Sequence, residues 1–426
     1  MTTQLGLPQP EHSPVQPEAP NAWKAFNGAR ASGPLARVLA LEDFEPLARA
    51  RLPRAIFGYV AGAAETGTSF RDNRQAFAEW GFVPRVLRNV ARRSQRTTLF
   101  GKEYATPFGI APMGIAALSA YEGDLVLARS AAHAGIPFIL SGTSLTPVEK
   151  VMREAPDSWF QAYLPGDSAR IDALLDRIER AGVGTLVVTV DIPVAGNREN
   201  NIRAGFSTPL RPSLRLAWDG LTRPRWLIGT LARTLLNGMP HFENSFAERG
   251  APIIARNVDR DFSERDHFDW THIARIRRRW RGNLVIKGVL SPEDAAIARD
   301  TGSDAVIASN HGGRQLDGAV CALRVLPEIV RAAGPMPVML DGGVRRGSDV
   351  LKAIALGARL VFVGRPFNFA AAVARDAGVA HAIALLRDEV DRNLAMLGVS
   401  TPADIDRGHL LDLSRSRTSS FGTPWA

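Results

Sequence analysis

Eight short apolar runs alternate with helix-like runs between residues 107 and 364, and that alternation leaves few architectures open. The apolar runs are 107–111, 137–141, 159–163, 185–191, 284–287, 305–309, 338–341 and 360–364. Helix-like stretches between them include 123–134, 168–181, 291–301, 323–333 and 348–356. Ser291-Pro292-Glu293-Asp294 is a helix start, with a capping serine, then proline, then acids at the positive end of the dipole. Eight strands with intervening helices predict an α/β fold of the (β/α)8 (TIM) barrel type rather than an open doubly wound sheet. No GxGxxG follows the first run, so a dinucleotide-binding sheet is not indicated.

One connection breaks the rhythm. Residues 192–282, between the fourth and fifth runs, form a long insertion, and loops of that length usually serve function or flexibility. Within it, 223–236 mixes arginines with Trp226, Leu227, Ile228, Leu231, Leu235 and Leu236 at helical spacing. Two readings stand side by side: a helix lying on an anionic membrane surface, or a lid helix packed on the barrel. Residues 1–35, rich in Pro, Gln, Glu and Gly, are expected to be a disordered or loosely packed arm. The barrel domain is expected over 36–413, opening with helix over 41–64, and 414–426 reads as a tail.

Composition narrows the partners. The net charge of +9 fits anionic small molecules or membranes; the arginines are spread rather than clustered with aromatics, so nucleic acid is not expected. The single cysteine, Cys321, excludes an internal disulfide and a multi-Cys metal site, and no metal is expected. No run reads as long and apolar enough to span a bilayer, and no secretion signal pattern opens the chain, so a cytoplasmic protein is expected.

Active sites of such barrels gather at the carboxyl ends of the strands, and polar groups recur there. In order they are Pro112-Met113-Gly114, Ser141, Gln161 and Tyr163, Thr189 and Asp191 with Arg198 beyond, Lys287, Ser309-Asn310-His311-Gly312-Gly313-Arg314, Asp341-Gly342-Gly343-Val344-Arg345, and Gly364-Arg365. Any one of these is an ordinary strand end or tight turn; their concentration on one rim is not. Histidine can take a proton near neutral pH, and arginine can hold a carboxylate with two parallel hydrogen bonds. The glycine turns after the seventh and eighth runs, each with an arginine, suit a phosphate, and Lys287 could face a cofactor ring.

Ser309-Asn310-His311-Gly312-Gly313-Arg314-Gln315-Leu316-Asp317 resembles the signature of the FMN-dependent (S)-2-hydroxy-acid dehydrogenases and oxidases. Further matching pieces are Asn73-Arg74-Gln75-Ala76-Phe77, Pro84-Arg85-Val86-Leu87, Trp159-Phe160-Gln161-Ala162-Tyr163, Thr189-Val190-Asp191-Ile192-Pro193, Val285-Ile286-Lys287-Gly288 and Asp341-Gly342-Gly343-Val344-Arg345-Arg346-Gly347, so that the likeness runs from about Leu41 to about Arg407. The resemblance implies FMN as cofactor, His311 as catalytic base and Asp191 as its partner. It implies that Arg198 and Arg314 clamp the substrate carboxylate and that Tyr59 and Tyr163 contact the substrate. It places Pro112, Met113, Gly114, Ser141, Gln161 and Thr189 along the flavin ring, with Lys287 near N1 and O2. Ser309, Asp341, Gly342, Gly343, Arg345, Gly364 and Arg365 would hold the ribityl chain and phosphate.

The reaction so implied is oxidation of an (S)-2-hydroxy acid, lactate-like, to the 2-oxo acid, with electrons passed to quinone or another acceptor. An oxygen-using oxidase and a mandelate-type dehydrogenase are the alternatives; an FMN-dependent isomerase and a non-catalytic flavin protein rank lower. Three departures bear on the choice. Ala61-Gly62-Ala63 stands where the family often has Ser-Gly-Ala, Gly114 where many oxidases have alanine, and Thr143 where glycolate oxidase has a bulky aromatic. The last two leave oxygen reactivity and substrate size open. Relatives also imply a homo-oligomer, a tetramer, and peripheral contact with the inner face of the cell membrane through 223–236.

Overall fold

The computed structural model describes residues 33–254 and 265–416. Residues 1–32 of the expected arm, 417–426 of the expected tail and 255–264 of the insertion lie outside the described residues. Gly33–Arg37 forms a 3-10 turn, and the compact unit begins at Val38.

The alternation in the sequence becomes a barrel. Its strands are β1 (Phe108–Ile110), β2 (Ile139–Ser141), β3 (Trp159–Ala162), β4 (Thr185–Thr189), β5 (Asn283–Val289), β6 (Ala305–Ala308), β7 (Val338–Asp341) and β8 (Leu360–Val363). From β2 to β8 each strand pairs in parallel with the next, and β8 pairs with β1. A parallel bridge between Ile110 and Phe138, with the Ile110 amide donating to the Pro137 carbonyl at 2.9 Å, brings β1 to β2 and closes the ring. The helices that follow the strands are α1 (Gly123–Ala134), α2 (Val148–Glu154), α3 (Ser168–Arg180), α4 (Trp270–Arg279), α5 (Pro292–Asp300), α6 (Ala322–Ala333), α7 (Gly347–Ala355) and α8 (Arg365–Leu397).

These strands read as continuous apolar runs because both of their faces are covered, by helices outside and by one another's side chains inside. Ile139, Trp159, Val187, Val285, Ile307, Met339 and Phe362 form one buried cluster with Leu99 and Tyr104 of a short hairpin, Thr97–Leu99 with Lys102–Tyr104. Phe100, at the hairpin turn, meets the ring of Trp159, the first residue of β3, at 5.7 Å, so the hairpin seals the amino end of the barrel. That hairpin, and the pairing of Trp80–Phe82 with Leu410–Asp412, were not legible in the sequence, since three-residue strands show no alternation. The helix start at Ser291 is as expected: its Oγ accepts from the amides of Glu293 and Asp294 at 3.1 and 3.3 Å. The helix expected over 41–64 is instead a 3-10 turn and two helices, Phe44–Arg51 and Arg54–Ala61, because Pro53 has no amide to donate and forces Leu52 out of the helical region.

One expectation needs correcting. Arg365–Leu397 is long and apolar enough to cross a bilayer, although no such run is expected from the sequence. In the fold it is α8, broken at Ala374 and Arg375 and packed on α1 and the helix Phe44–Arg51.

The insertion carries the helices Glu199–Ala204, Leu214–Leu221, Pro224–Trp226 and Arg233–Leu236, the last two joined by a π-helical turn, Leu227–Ala232. The segment 223–236 packs on the barrel along one face and leaves the other exposed. Trp226 and Thr230 are buried, and the Trp226 indole donates to the Leu118 carbonyl at 2.7 Å, so one face is docked on the barrel. The other face is bare: Ile228 is 67% exposed and Leu236 86%. The helix before it, absent from the sequence reading, presents Leu214, Trp218 and Leu221, one apolar stripe at i, i+4, i+7, each more than half exposed.

Candidate active site

The carboxyl ends of the strands open into a cavity of about 430 Å³. Most of the residues singled out above line it: Tyr59, Pro112, Met113, Gly114, Tyr163, Thr189, Arg198, Lys287, His311, Arg314, Asp341, Gly342, Gly343, Arg345, Gly364 and Arg365. Ser141, Gln161 and Ser309 lie beneath its wall, almost fully buried, and Asp191 stands behind His311.

His311 follows β6 through Ser309 and Asn310, with its backbone at φ 57°. A non-glycine residue there must be held. Its amide donates to Ser309 Oγ at 3.0 Å, and the buried amides of Asn310 and Asn73 exchange two hydrogen bonds of 2.8 and 2.9 Å. Asp317 takes the amides of Thr66 and Ser69 at 3.0 and 2.9 Å, fastening the far end of the turn to the helix Thr68–Ala78.

The ring of His311 faces Asp191, with Nδ1 at 3.0 and 3.3 Å from the two carboxylate oxygens. Gly288, at φ 105°, makes room for this carboxylate, since a Cβ there would lie 2.7 Å from the Asp191 Cβ. Burial lowers the His311 pKa below its ordinary value, and Asp191 only partly restores it. Burial raises Asp191, but His311 and then Lys287 outweigh it and hold the carboxylate below the usual range. The pair is therefore neutral imidazole beside carboxylate, with Nδ1–H donating to Asp191 and Nε2 left as a free base. Lys287 is buried, yet Asp341 at 2.9 Å and then Asp191 raise its pKa against desolvation, so it stays charged.

Four guanidinium groups converge on the cavity. Arg198 donates to the Arg314 carbonyl at 3.1 Å and to Gln315 Oε1. Arg314 donates to the Gly62 carbonyl at 2.8 Å and lies over the Tyr59 ring at 5.1 Å. Arg365 reaches the same helix end, donating to the carbonyls of Val60, Gly62 and Gly312, so its group stands beside Arg314. Arg345 donates to its neighbour's carbonyl at 2.9 Å. Among the described residues none of the four forms an ion pair with a carboxylate. Burial, followed by repulsion from Arg198 and Arg74 respectively, lowers Arg314 and Arg345 to about 10. Buried like charges of this kind are stabilised by an anion among them.

Several contributors had no signal in the sequence. Phe206, from the insertion, stacks on Tyr59 with ring centroids 4.5 Å apart, and Ile202 and Thr208 line the same wall. Arg265 lies over the Tyr163 ring at 5.1 Å. Thr143, Tyr59 and Gly114 were each singled out from the sequence, but their contact was not: Thr143 and Tyr59 close over Gly114, where an added Cβ would stand 2.3 Å from Thr143 Oγ1 and 3.0 Å from the Tyr59 hydroxyl. Asn73, seen only as part of a motif, is the partner that locks Asn310.

The profile of FMN-dependent dehydrogenases matches residues 48–412. An L-lactate dehydrogenase of Caulobacter sp. (strain K31) is 39% identical over 380 residues, covering 88% of this chain and 98% of the relative. An (S)-mandelate dehydrogenase of Pseudomonas putida is 37% identical over 365 residues, covering 84% and 90%. Among solved structures, the monotopic membrane protein (S)-mandelate dehydrogenase superposes with a TM-score of 0.79 at 34% identity, covering 88% of this chain and all of that one. A mandelate oxidase with (S)-2-phenylpropionate superposes at 0.72 with 33% identity, covering 88% and 98%.

Proposed function

This chain belongs to the FMN-dependent dehydrogenase family, and from that premise we propose that it oxidises a lactate-like (S)-2-hydroxy acid to the 2-oxo acid. The observation that carries the reading is the His311–Asp191 pair, its free Nε2 turned to a cavity ringed by arginines without carboxylate partners.

The residues fit FMN. Two buried polar atoms on the cavity's strand ends, Gln161 Nε2 and Thr189 Oγ1, have no hydrogen-bond partner among the described residues and suit the polar edge of a flavin ring. Gly343, at φ 81°, lies so close to the Asn73 carbonyl that a Cβ would stand 1.9 Å from it, a backbone turn that leaves amides open to a phosphate. In this reading Pro112, Met113, Gly114, Ser141, Gln161, Thr189 and Lys287 hold the ring. Ser309, Asp341, Gly342, Gly343, Arg345, Gly364 and Arg365 hold the ribityl phosphate. Bound FMN supplies the two-electron acceptor.

The chain's own residues do the rest. Arg198 and Arg314 fix the substrate carboxylate by charge-assisted hydrogen bonds, orienting the α-carbon. Tyr59 and Tyr163 flank it, the first set by Phe206 and the second packed against the His311 ring at 6.4 Å. His311 Nε2 takes the proton the substrate releases, and Asp191 stabilises the imidazolium that forms. Lys287 offsets negative charge that develops at the ring.

The electron acceptor is proposed to be a membrane quinone. Its support is the pair of bare apolar faces on Leu214–Leu221 and 224–236, which suit a bilayer surface and would bring the protein to it peripherally. Anaerobic mixing with L-lactate, L-mandelate and glycolate, following flavin bleaching, tests the reaction, and readmitting air separates quinone from oxygen as acceptor. His311→Ala is expected to keep its FMN and lose bleaching; bleaching at the wild-type rate would overturn the assignment.

A further inference from the structure

The break in α8 carries an arginine where backbone geometry favours glycine. Arg375 sits at φ 50° and ψ −132°, and Ala374 before it is also off the helix. That region is strained for any residue with a side chain, and such residues gather where the conformation serves a purpose. Here it puts the Arg375 guanidinium over the ring of Tyr121, Cζ to centroid 5.2 Å. Arg233, from the insertion, lies over the same ring at 4.6 Å, so the two guanidinium carbons are no more than about 10 Å apart. Asn237 holds the Tyr121 hydroxyl at 3.1 Å.

Nothing in the described residues neutralises this charge. Arg375 Nε is buried without a hydrogen-bond partner, and among the described residues neither arginine pairs with an acid. Asp376, next in the chain, is taken by Arg129 at 3.3 Å. Arg51 adds to the cluster by donating to the Val373 carbonyl, just before the break, at 2.8 Å. Burial and then the nearby charge of Arg225 press the Arg51 pKa down. Arg233 and Arg375 thus meet at the Tyr121 ring, Arg51 reaches the backbone two residues before Arg375 with Arg225 near it, and Arg225 and Arg233 belong to the stretch that bares Ile228, Leu235 and Leu236.

We propose that this cluster binds the phosphodiester headgroup of an anionic phospholipid, a reading that rests on the membrane contact proposed above. With the apolar side chains in the acyl boundary, Arg233 and Arg375 stand at headgroup depth, where anionic lipid attracts each cation. Free phosphate shares the anion chemistry, but only a lipid also satisfies the bare apolar side chains beside it.

The test uses the full chain loaded with FMN, floated with vesicles of phosphatidylcholine alone and of phosphatidylcholine mixed with phosphatidylglycerol. Wild type is expected to prefer the mixed vesicles. Arg375→Gly is expected to bind mixed vesicles about five-fold less, the worth of one cation at such a surface, with binding to phosphatidylcholine unchanged. Its flavin reduction should be unchanged and its melting temperature no lower, because glycine suits the backbone there. Arg92→Gly, on an exposed loop before β1, is the charge control and should bind as wild type. Unchanged binding by Arg375→Gly, or an equal loss in Arg92→Gly, overturns the site while vesicle binding by wild type keeps the membrane reading. Absence of wild-type binding to either vesicle overturns the membrane reading itself. A melting-temperature gain with inorganic phosphate in wild type but not in Arg375→Gly, without vesicle discrimination, makes the ligand free phosphate and also overturns the lipid proposal.

Discussion

Replacing Asp191 by asparagine tests the proposed base most directly. Asparagine is close to isosteric, and its Oδ1 can still accept the Nδ1–H of His311, which Asp191 now takes at 3.0 Å. What disappears is a negative charge next to the imidazolium formed on proton transfer. Two unit charges about 4 Å apart at an effective dielectric near 20 interact by about 4 kcal/mol, which is about a thousandfold in the rate of flavin reduction. The pH dependence has a definite sign. Burial already holds His311 below its ordinary value, so wild-type kcat/KM should stay level down through neutral pH and fall only below 6.5. Asp191 raises the His311 pKa, so its loss moves that acid limb lower still. Anaerobic stopped-flow reduction of Asp191→Asn, with FMN content checked by its spectrum, should therefore show a loss that raising the pH does not repair. A loss under about tenfold with FMN in place, or recovery at high pH, would refute the account of the pair.

Other expectations follow from packing. Gly114→Ala puts a methyl 2.3 Å from Thr143 Oγ1, an overpacking costing about 1–3 kcal/mol that should lower kcat/KM; adding Thr143→Ala should return most of it, and an unrepaired double variant argues against the clash. Asn73→Ala removes two buried hydrogen bonds to Asn310 and should cost about 2–5 kcal/mol in urea unfolding, together with slower flavin reduction as the His311 turn loosens. Asp124, buried under the β2 loop with Thr146 Oγ1 at 3.2 Å, has its pKa pushed from 3.8 to about 6 by burial. A raised folded-state pKa means stability present below 3.8 and lost as pH rises through 6. Asp124→Asn should accordingly gain up to about 3 kcal/mol at about pH 8 and almost nothing at about pH 4, read from urea midpoints at both.

The strand order and the polar rim were legible because they are local. A strand covered on both faces must be apolar throughout, so each of the eight announces itself within five or so residues. The rim residues are polar interruptions at the ends of those runs, which is why Ser141, Gln161, Thr189, Lys287, His311 and Asp341 could be placed on one face before any coordinate. The sequence alone thus determined the barrel, the polarity of its mouth and the residues arriving there. It also carried the amphipathic pattern of 223–236, though not which face would be bare.

Long-range contact decided the rest. Asn73 and Asn310 are 237 residues apart, and Thr66 and Asp317 are 251 apart, so no periodicity links them. The same holds for Phe206 on Tyr59, for Arg314 and Arg365 sharing the carbonyl end of the helix Arg54–Ala61, and for Thr143 over Gly114. His311 joins both kinds of information. Its side chain could be named from a glycine turn, but its state as a neutral base depends on burial, a carboxylate from another strand end and nearby cations, and those meet only when the barrel closes.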